Sequence, residues 1–391
     1  MSGPDAIMSP DDDAPATILA RAYAEGAGPI APPIVQSSLF AFQSYEAFQD
    51  ALAGRSGQDL YTRVNNPTVR AFEEMIAAAE RTEAAVGFSS GMAAISSTLL
   101  AFARPGDRIA CVEHLYPDAY RLLERLLRPY GVEATYHPVG AFSDDPDLLD
   151  GAQIAYLESP NSVMMQTMDL EKVAGHAKRH GTLTVFDNSW ATPVFQRPIE
   201  SGIDIVLHSA SKYISGHSDT VAGVVAARAE LIDRIRDITL PLLGGKLAPF
   251  EAWLLVRGLR TLDARMRMHQ ATANAFVERL ASLPLVARIH TPAPGTVRSL
   301  QGRSGLLSVE LEERVDIPRF ANALRLFRLG VSWGGFESLV LPAQVGLGQA
   351  GNENSMRRFG VPPNLVRISL GLEDKDDLWM DFESALQKSA A

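Results

Sequence analysis

The stretch GTLTVFDNSW (residues 181–190) runs through apolar residues into Asp187, and DIVLHSASKY (204–213) repeats the pattern and delivers Lys212 just beyond its end. Each reads as a buried strand leaving a polar side chain at its C-terminal end. Outward from this pair lie further short apolar runs: AAVGF (84–88), RIACV (108–112), EATYHP (133–138), QIAYLE (153–158) and TVAGVVAA (220–227). Helix-like stretches separate several of them, namely MAAISSTLLAFA (92–103), DAYRLLERLLRPY (118–130) and DLEKVAGHAKRH (169–180). Strands alternating with helices require right-handed crossovers and a mostly parallel sheet covered on both faces, which is an α/β fold. From residue 243 the pattern changes to a long helical run to 283, with a break expected at Pro249. Mixed α+β segments follow: GLLSVELEE (305–313), a helix over RFANALRLFRLG (319–330), and LVRISLGLE (365–373). The expected organisation is an N-terminal arm (1–59), a large domain (60–245) and a smaller α+β C-terminal domain (246–391). The arm holds an extended PIAPPIVQSS (29–38) and a short helix in SYEAFQDALAG (44–54). It has too little apolar pattern for its own core and is expected to lie on the main body or a second subunit.

The whole chain has 391 residues, enough for two or three domains at ~150 residues each. With 46% hydrophobic and 21% charged residues it has the composition of a soluble globular protein. Its net charge of -10 argues against nucleic-acid binding, which relies on Lys and Arg at phosphates. Cys111 is the only cysteine, so neither an intrachain disulfide nor a multi-Cys zinc site can form. MSGPDAIMSPDDDAP (1–15) lacks the basic start and apolar core of a signal peptide, and no apolar stretch approaches the ~20 residues of a membrane span. A cytoplasmic protein that binds neither nucleic acid nor membrane is the expectation.

Asp187 at a strand end can face a cofactor in the crevice of an open α/β sheet, or equally cap the next helix. Lys212, taken alone, reads as a solvated surface charge. Its neighbours Ser209 and Ser211 change the balance, since hydroxyls beside a lysine suit a phosphate while the amine forms a Schiff base. In GFSSGMAAI (87–95) a strand turns into a helix N-terminus, another phosphate site. The same residues satisfy G-x-S-x-G, so a serine hydrolase using Ser89, with Asp187 and His208 or His217, is the competing reading. His176 and His180 lie one helical turn apart without the Glu of a zinc protease and read as exposed helix surface; no metal is expected.

Together the strand-end Asp, the Lys among serines and the Gly-containing helix start resemble the Cys/Met-metabolism family of pyridoxal-phosphate (PLP) enzymes, of fold type I. The similarity runs through YTRVNNPT (61–68), SSGMAAI (89–95), ESPNSVMMQTMD (158–169), DNSWATPV (187–194), SASKYISGHSD (209–219), SWGGFESL (332–339) and LVRISLGLE (365–373). The resemblance implies a large domain with a mostly parallel seven-stranded sheet between helices. It makes Lys212 the Schiff-base lysine and Asp187 the partner of the ring nitrogen. Gly91, Met92, Ser209 and Ser211 would hold the phosphate. Tyr61 and Arg63 would reach that phosphate from a neighbouring subunit, which implies a homodimer with shared sites, usually within a tetramer. Tyr116 would stack on the ring and take part in proton transfer, although Tyr-Pro-Asp-Ala stands where Tyr-Gly-Gly-Thr is usual. Ser332, Trp333 and Arg367 would bind the amino-acid thioether substrate, Arg367 through its α-carboxylate. Ser332-Trp333 and ESPNS are similar to the β-lyase form, implying cleavage of L-cystathionine to L-homocysteine, pyruvate and ammonia. The alternatives within the family are cystathionine γ-lyase, γ-synthase and methionine γ-lyase. Asp118 stands where methionine γ-lyases carry a reactive Cys, and Val331 replaces both the Glu of γ-enzymes and the Tyr of β-lyases.

Overall fold

The structure is a computed structural model that describes residues 13–21, 28–293 and 295–390. Most of the stretch read as lacking a signal peptide, residues 1–12, and part of the arm, 22–27, lie outside the described residues. Seven strands form the large sheet: β1 (Ala84–Phe88), β2 (Arg108–Val112), β3 (Glu133–His137), β4 (Ile154–Glu158), β5 (Leu183–Asp187), β6 (Ile205–His208) and β7 (Gly223–Ala227). Their order is β1-β7-β6-β5-β4-β2-β3. Strands β2 to β6 run parallel, while β7 is antiparallel to both neighbours, β1 and β6. This is the mostly parallel sheet that the alternation predicts.

Local chemistry sets the punctuation. Asp169 accepts hydrogen bonds from Glu171 N and Lys172 N to start the helix Leu170–His180, and Gly181, at φ 67°, ends it and feeds β5. Ser90 caps the helix Gly91–Phe102 by accepting from Ala93 N. The sheet's faces bury Val112, Tyr156, Leu157, Phe186 and Val206 in one apolar cluster with Ile95 and Leu99 of that helix. Such near-continuous burial marks strands covered on both sides.

The C-terminal part has a second sheet, with β8 (Val286–His290), β9 (Leu306–Leu311), β10 (Arg328–Leu329), β11 (Leu339–Pro342) and β12 (Leu365–Ser369) in the order β10-β11-β12-β9-β8. Its core gathers Phe276, Phe320, Phe327 and Phe382 under Val309 and Val366. Three expectations change. The long helical run resolves into Pro249–Leu259 and Leu262–Leu280, so Pro249 opens a helix and a second break follows at 260–261. The helix expected over 319–330 spans only Ile317–Ala323. It stops because the Asp381 carboxylate accepts from the N–H groups of Arg325, Leu326 and Phe327, which a continuing helix would have used. Within 118–130 the helix shifts to π geometry over Leu122–Leu127 and to a 3-10 turn over Arg128–Tyr130.

The proximal arm is fastened to its own chain. Trp253 Nε1 donates to Pro32 O (3.1 Å), Arg260 to Ile30 O (2.7 Å) and Asn66 Nδ2 to Val35 O (2.9 Å). No helix of the described residues is long and apolar enough to cross a membrane.

Candidate active site

Parallel strands end side by side, so their terminal side chains line one crevice. Asp187 closes β5, and Ser189 N donates to its Oδ1 at 2.9 Å. Burial pushes the Asp187 carboxyl above its usual range, while the Ser189 donors, His208 and Lys212 pull it down. Beyond β6 the chain turns so that Ser209 N donates to Ser189 Oγ (2.6 Å), which locks the two strand-end loops together. Lys212 follows one turn later. Its Nζ donates to Ser332 Oγ at 2.5 Å and stands 5.4 Å from the centre of the Trp333 ring. Burial and the nearby Arg367 guanidinium lower the Lys212 amine to about 8, against a pull from Asp187 in the other direction.

Ser332, Trp333 and Arg367 come from the C-terminal part. Arg367, on β12, donates to Ser332 O at 3.2 Å, and burial pushes its guanidinium down to about 10. Trp333 packs on Tyr213 with ring centres 5.5 Å apart. Gly334, at φ 84°, makes this approach feasible, because a Cβ there would sit 2.9 Å from Tyr213 N and 3.2 Å from Lys212 Cα. Tyr116 opens the helix Pro117–Arg121 and donates through its hydroxyl to Asp118 Oδ2 at 3.1 Å. Burial first, and then Asp118, push that phenol up.

Whether these groups fit PLP can be judged on the phosphate end. Among the described residues no hydrogen bond uses the Gly91 or Met92 N–H at the start of the helix Gly91–Phe102, so both remain for an anion. A Cβ on Gly91 would lie 2.9 Å from Ser209 Cβ and Oγ, so glycine keeps this cradle open. Ser211 is less free, since its hydroxyl donates to Ala222 O (3.1 Å) and accepts from Ala222 N (2.9 Å). The residues present therefore fit a phosphate, a ring with a basic nitrogen and an aldehyde carbon, with Ser211 committed to the loop.

Two expected members stand elsewhere. Tyr61 and Arg63 line a separate surface cleft of about 340 Å³ with Gln36, Ser38 and Lys246, where Arg63 Nη1 donates to Pro241 O at 2.6 Å. The hydrolase constellation is not assembled among the described residues. His208 is fully buried with Nε2 2.7 Å from Glu80 Oε1, His217 Nδ1 is 2.6 Å from Ser215 O, and Ser89 is exposed. His176 and His180 are half-buried rather than exposed. Each is turned onto a backbone carbonyl, of Phe142 and Pro146 respectively. No cluster of three or more His, Cys, Asp or Glu able to hold a metal occurs among the described residues. Glu158, absent from the expected site residues, ends β4 in register with Asp187 and accepts from Tyr116 N at 2.7 Å. Its signal was present, since QIAYLE ends on a carboxylate as TLTVFD does.

Known proteins are similar to this chain over nearly its whole length. L-methionine gamma-lyase of Pseudomonas putida is 36% identical over 373 residues, covering 93% of this chain and 94% of its own. Cystathionine beta-lyase of Bacillus subtilis is 34% identical over 374 residues, covering 93% of each. The solved structure of cystathionine gamma synthase from Xanthomonas oryzae pv. oryzae, in complex with cystathionine, superposes with a TM-score of 0.88 at 33% identity, covering 96% of this chain and 98% of that one. A family model described as Cys/Met metabolism PLP-dependent enzyme matches residues 16–387. Carbon–sulfur chemistry on amino acids runs through these relatives, and the chain belongs to the Cys/Met-metabolism family of PLP-dependent enzymes.

Proposed function

We propose that this enzyme is a carbon–sulfur lyase that removes the γ-substituent of a methionine- or cystathionine-type thioether, releasing a thiol, 2-oxobutyrate and ammonia. The observation that carries the lyase reading is the Lys212 amine, lowered to about 8 and held at 2.5 Å from Ser332 Oγ. A base acts best when its pKa lies near the working pH. A γ-elimination must move protons at both Cα and Cβ, so the same amine has to bind and release a proton more than once. Pyridoxal phosphate, when bound, supplies the electron sink that makes the Cα proton acidic.

The chain's own residues do the rest in this account. Asp187 keeps a ring nitrogen protonated. Gly91, Met92 and Ser209 would hold the phosphate, with Ser211 shaping the loop beside it through its bonds to Ala222. Arg367 grips the α-carboxylate with its planar fork. Ser332 orients the amine and Trp333 covers it, and Tyr116 would stack on the ring and hold a proton for the departing sulfur. Tyr61 and Arg63 serve the phosphate of a neighbouring copy, so the working form is a homodimer with shared sites, itself half of a tetramer, in the cytoplasm. The arm (1–59), the cofactor domain (60–245) and the C-terminal domain (246–391) are the units of this organisation.

The γ-reading draws on the relatives named L-methionine gamma-lyase, at 34–36% identity from Pseudomonas and Fusobacterium. β-Elimination, the expectation drawn from Ser332-Trp333 and ESPNS, is the second reading, and a beta-lyase at 34% identity favours it. Cystathionine separates the two. A γ-lyase forms 2-oxobutyrate and cysteine, whereas a β-lyase forms pyruvate and homocysteine. Identification of the keto acid tests the proposal, and pyruvate as the main product overturns it in favour of β-elimination.

A further inference from the structure

Strands β4 and β5 lie in parallel register with Glu158 beside Asp187, at the ~4.8 Å spacing of neighbouring strands. Glu158 is only 4% exposed, and no basic side chain bonds to it among the described residues. Its partners are neutral: Tyr116 N donates to Oε1 and Ser162 Oγ to Oε2, each at 2.7 Å. We propose that Glu158 and Asp187 are a carboxyl pair carrying one negative charge, in which Glu158 keeps its proton and acts as a positioning residue that holds Tyr116 through its backbone N–H.

Two carboxylates in one poorly solvated site do not both ionise, because each raises the cost of charging the other. The surroundings decide which one yields. Lys212 and His208 act on Asp187, and Ser189 N donates to it, so the charge settles there. The other titratable groups that feel Glu158 are Cys111 on β2, Tyr116 beyond β2 and Tyr156 on β4 itself. All three are pushed up by burial and stay neutral, so none offers Glu158 a positive charge. Burial and then Asp187 raise the Glu158 carboxyl to about 8, against the hydrogen bonds from Tyr116 N and from the Ser162 hydroxyl and backbone, which favour its charged form. The protonated form is also satisfied geometrically. A neutral Glu158 still accepts from Tyr116 N at Oε1, and its Oε2–H can donate to Ser162 Oγ over the same 2.7 Å, with the hydroxyl reversing its role.

The consequence is a crevice with one full negative charge against one basic ring nitrogen. The functional meaning rests on the proposed role of Asp187, but the protonation state does not. Infrared difference spectroscopy of the holoenzyme, wild type minus Glu158→Gln, reads it directly. At about pH 7 the wild type should show the carbonyl stretch of a protonated carboxylic acid, lost in Glu158→Gln and lost in the wild type above about pH 9, beyond the carboxyl's own titration. In Asp187→Asn the band should be lost at a lower pH than in the wild type, because Asp187 adds to the burial that holds the proton on Glu158, and an unchanged titration contradicts the pairing. No band at that pH in folded wild type, or a band that survives Glu158→Gln, overturns the proposal whatever reaction the enzyme performs. The positioning role is read separately. Glu158→Ala should lower kcat about 10-fold by stranding the Tyr116 N–H, and Glu158→Gln should recover most of that loss. Equal losses in both variants contradict it.

Discussion

Lys212 and Arg63 are both cations beside aromatic rings, at 5.4 Å from the Trp333 centre and 5.6 Å from the Tyr61 centre, yet their surroundings have little in common. Lys212 is partly buried, bonded to Ser332, pressed by Arg367 and faced by Asp187, with its proton affinity shifted accordingly. Arg63 is exposed and donates to the Pro241 carbonyl. Around it and the nearby arm stand apolar side chains open to solvent: Leu39, Phe48, Leu52, Leu242 and Phe250. The first region is organised by contacts within one chain. The second presents apolar area and a cation to something else, which is what an incomplete interface looks like. A buried, hydrogen-bonded cation and an exposed one among open apolar side chains thus mark two different regions of the same fold.

The largest expected effect breaks the first region. Lys212→Ala should lower kcat by about 10³-fold or more, the scale of losing a general base. The fold should stay intact because, among the described residues, the side chain hydrogen-bonds to Ser332 alone. A smaller effect sharpens the second region. Arg63→Ala should weaken retention of pyridoxal phosphate by about 10–100-fold, the worth of a charged hydrogen bond to phosphate. If that phosphate belongs to a neighbouring copy, mixing Lys212→Ala with Arg63→Ala subunits at limiting pyridoxal phosphate should give more activity than the two variants show separately, since one of the two hybrid sites regains both residues. No recovery on mixing would place Arg63 in its own chain's site. The subtlest effect lies in the pH profile. Arg367 helps push the Lys212 amine down, so Arg367→Gln should raise that pKa and shift the rising limb of kcat against pH towards alkaline values. An unmoved limb would mean that burial alone sets the amine.

Much of the fold is legible in local pattern. Apolar runs ending on polar residues identify β5 and β6 and put Asp187 at one strand end and Lys212 just past the other, but the serines beside Lys212 and the family resemblance, not position alone, single the two out. Other features depend on partners distant in sequence. The helix read over 319–330 is cut short by Asp381, which no window around 324 contains. Glu158 has the same strand-end signal as Asp187, but its significance appears only when β4 and β5 lie in register. The half-burial of His180 depends on the carbonyl of Pro146, far along the chain. The choice between β- and γ-elimination is the hardest to read, because relatives named for either reaction are 34–36% identical to this chain.

The central claim is that Lys212 is the residue that carries pyridoxal phosphate. Borohydride reduction of the purified holoenzyme, followed by peptide mapping, tests it most directly. The account predicts that the visible absorption disappears and that the pyridoxyl group is recovered on the peptide containing Lys212. A label on any other lysine, or a colourless protein that takes up no pyridoxal phosphate, would contradict it.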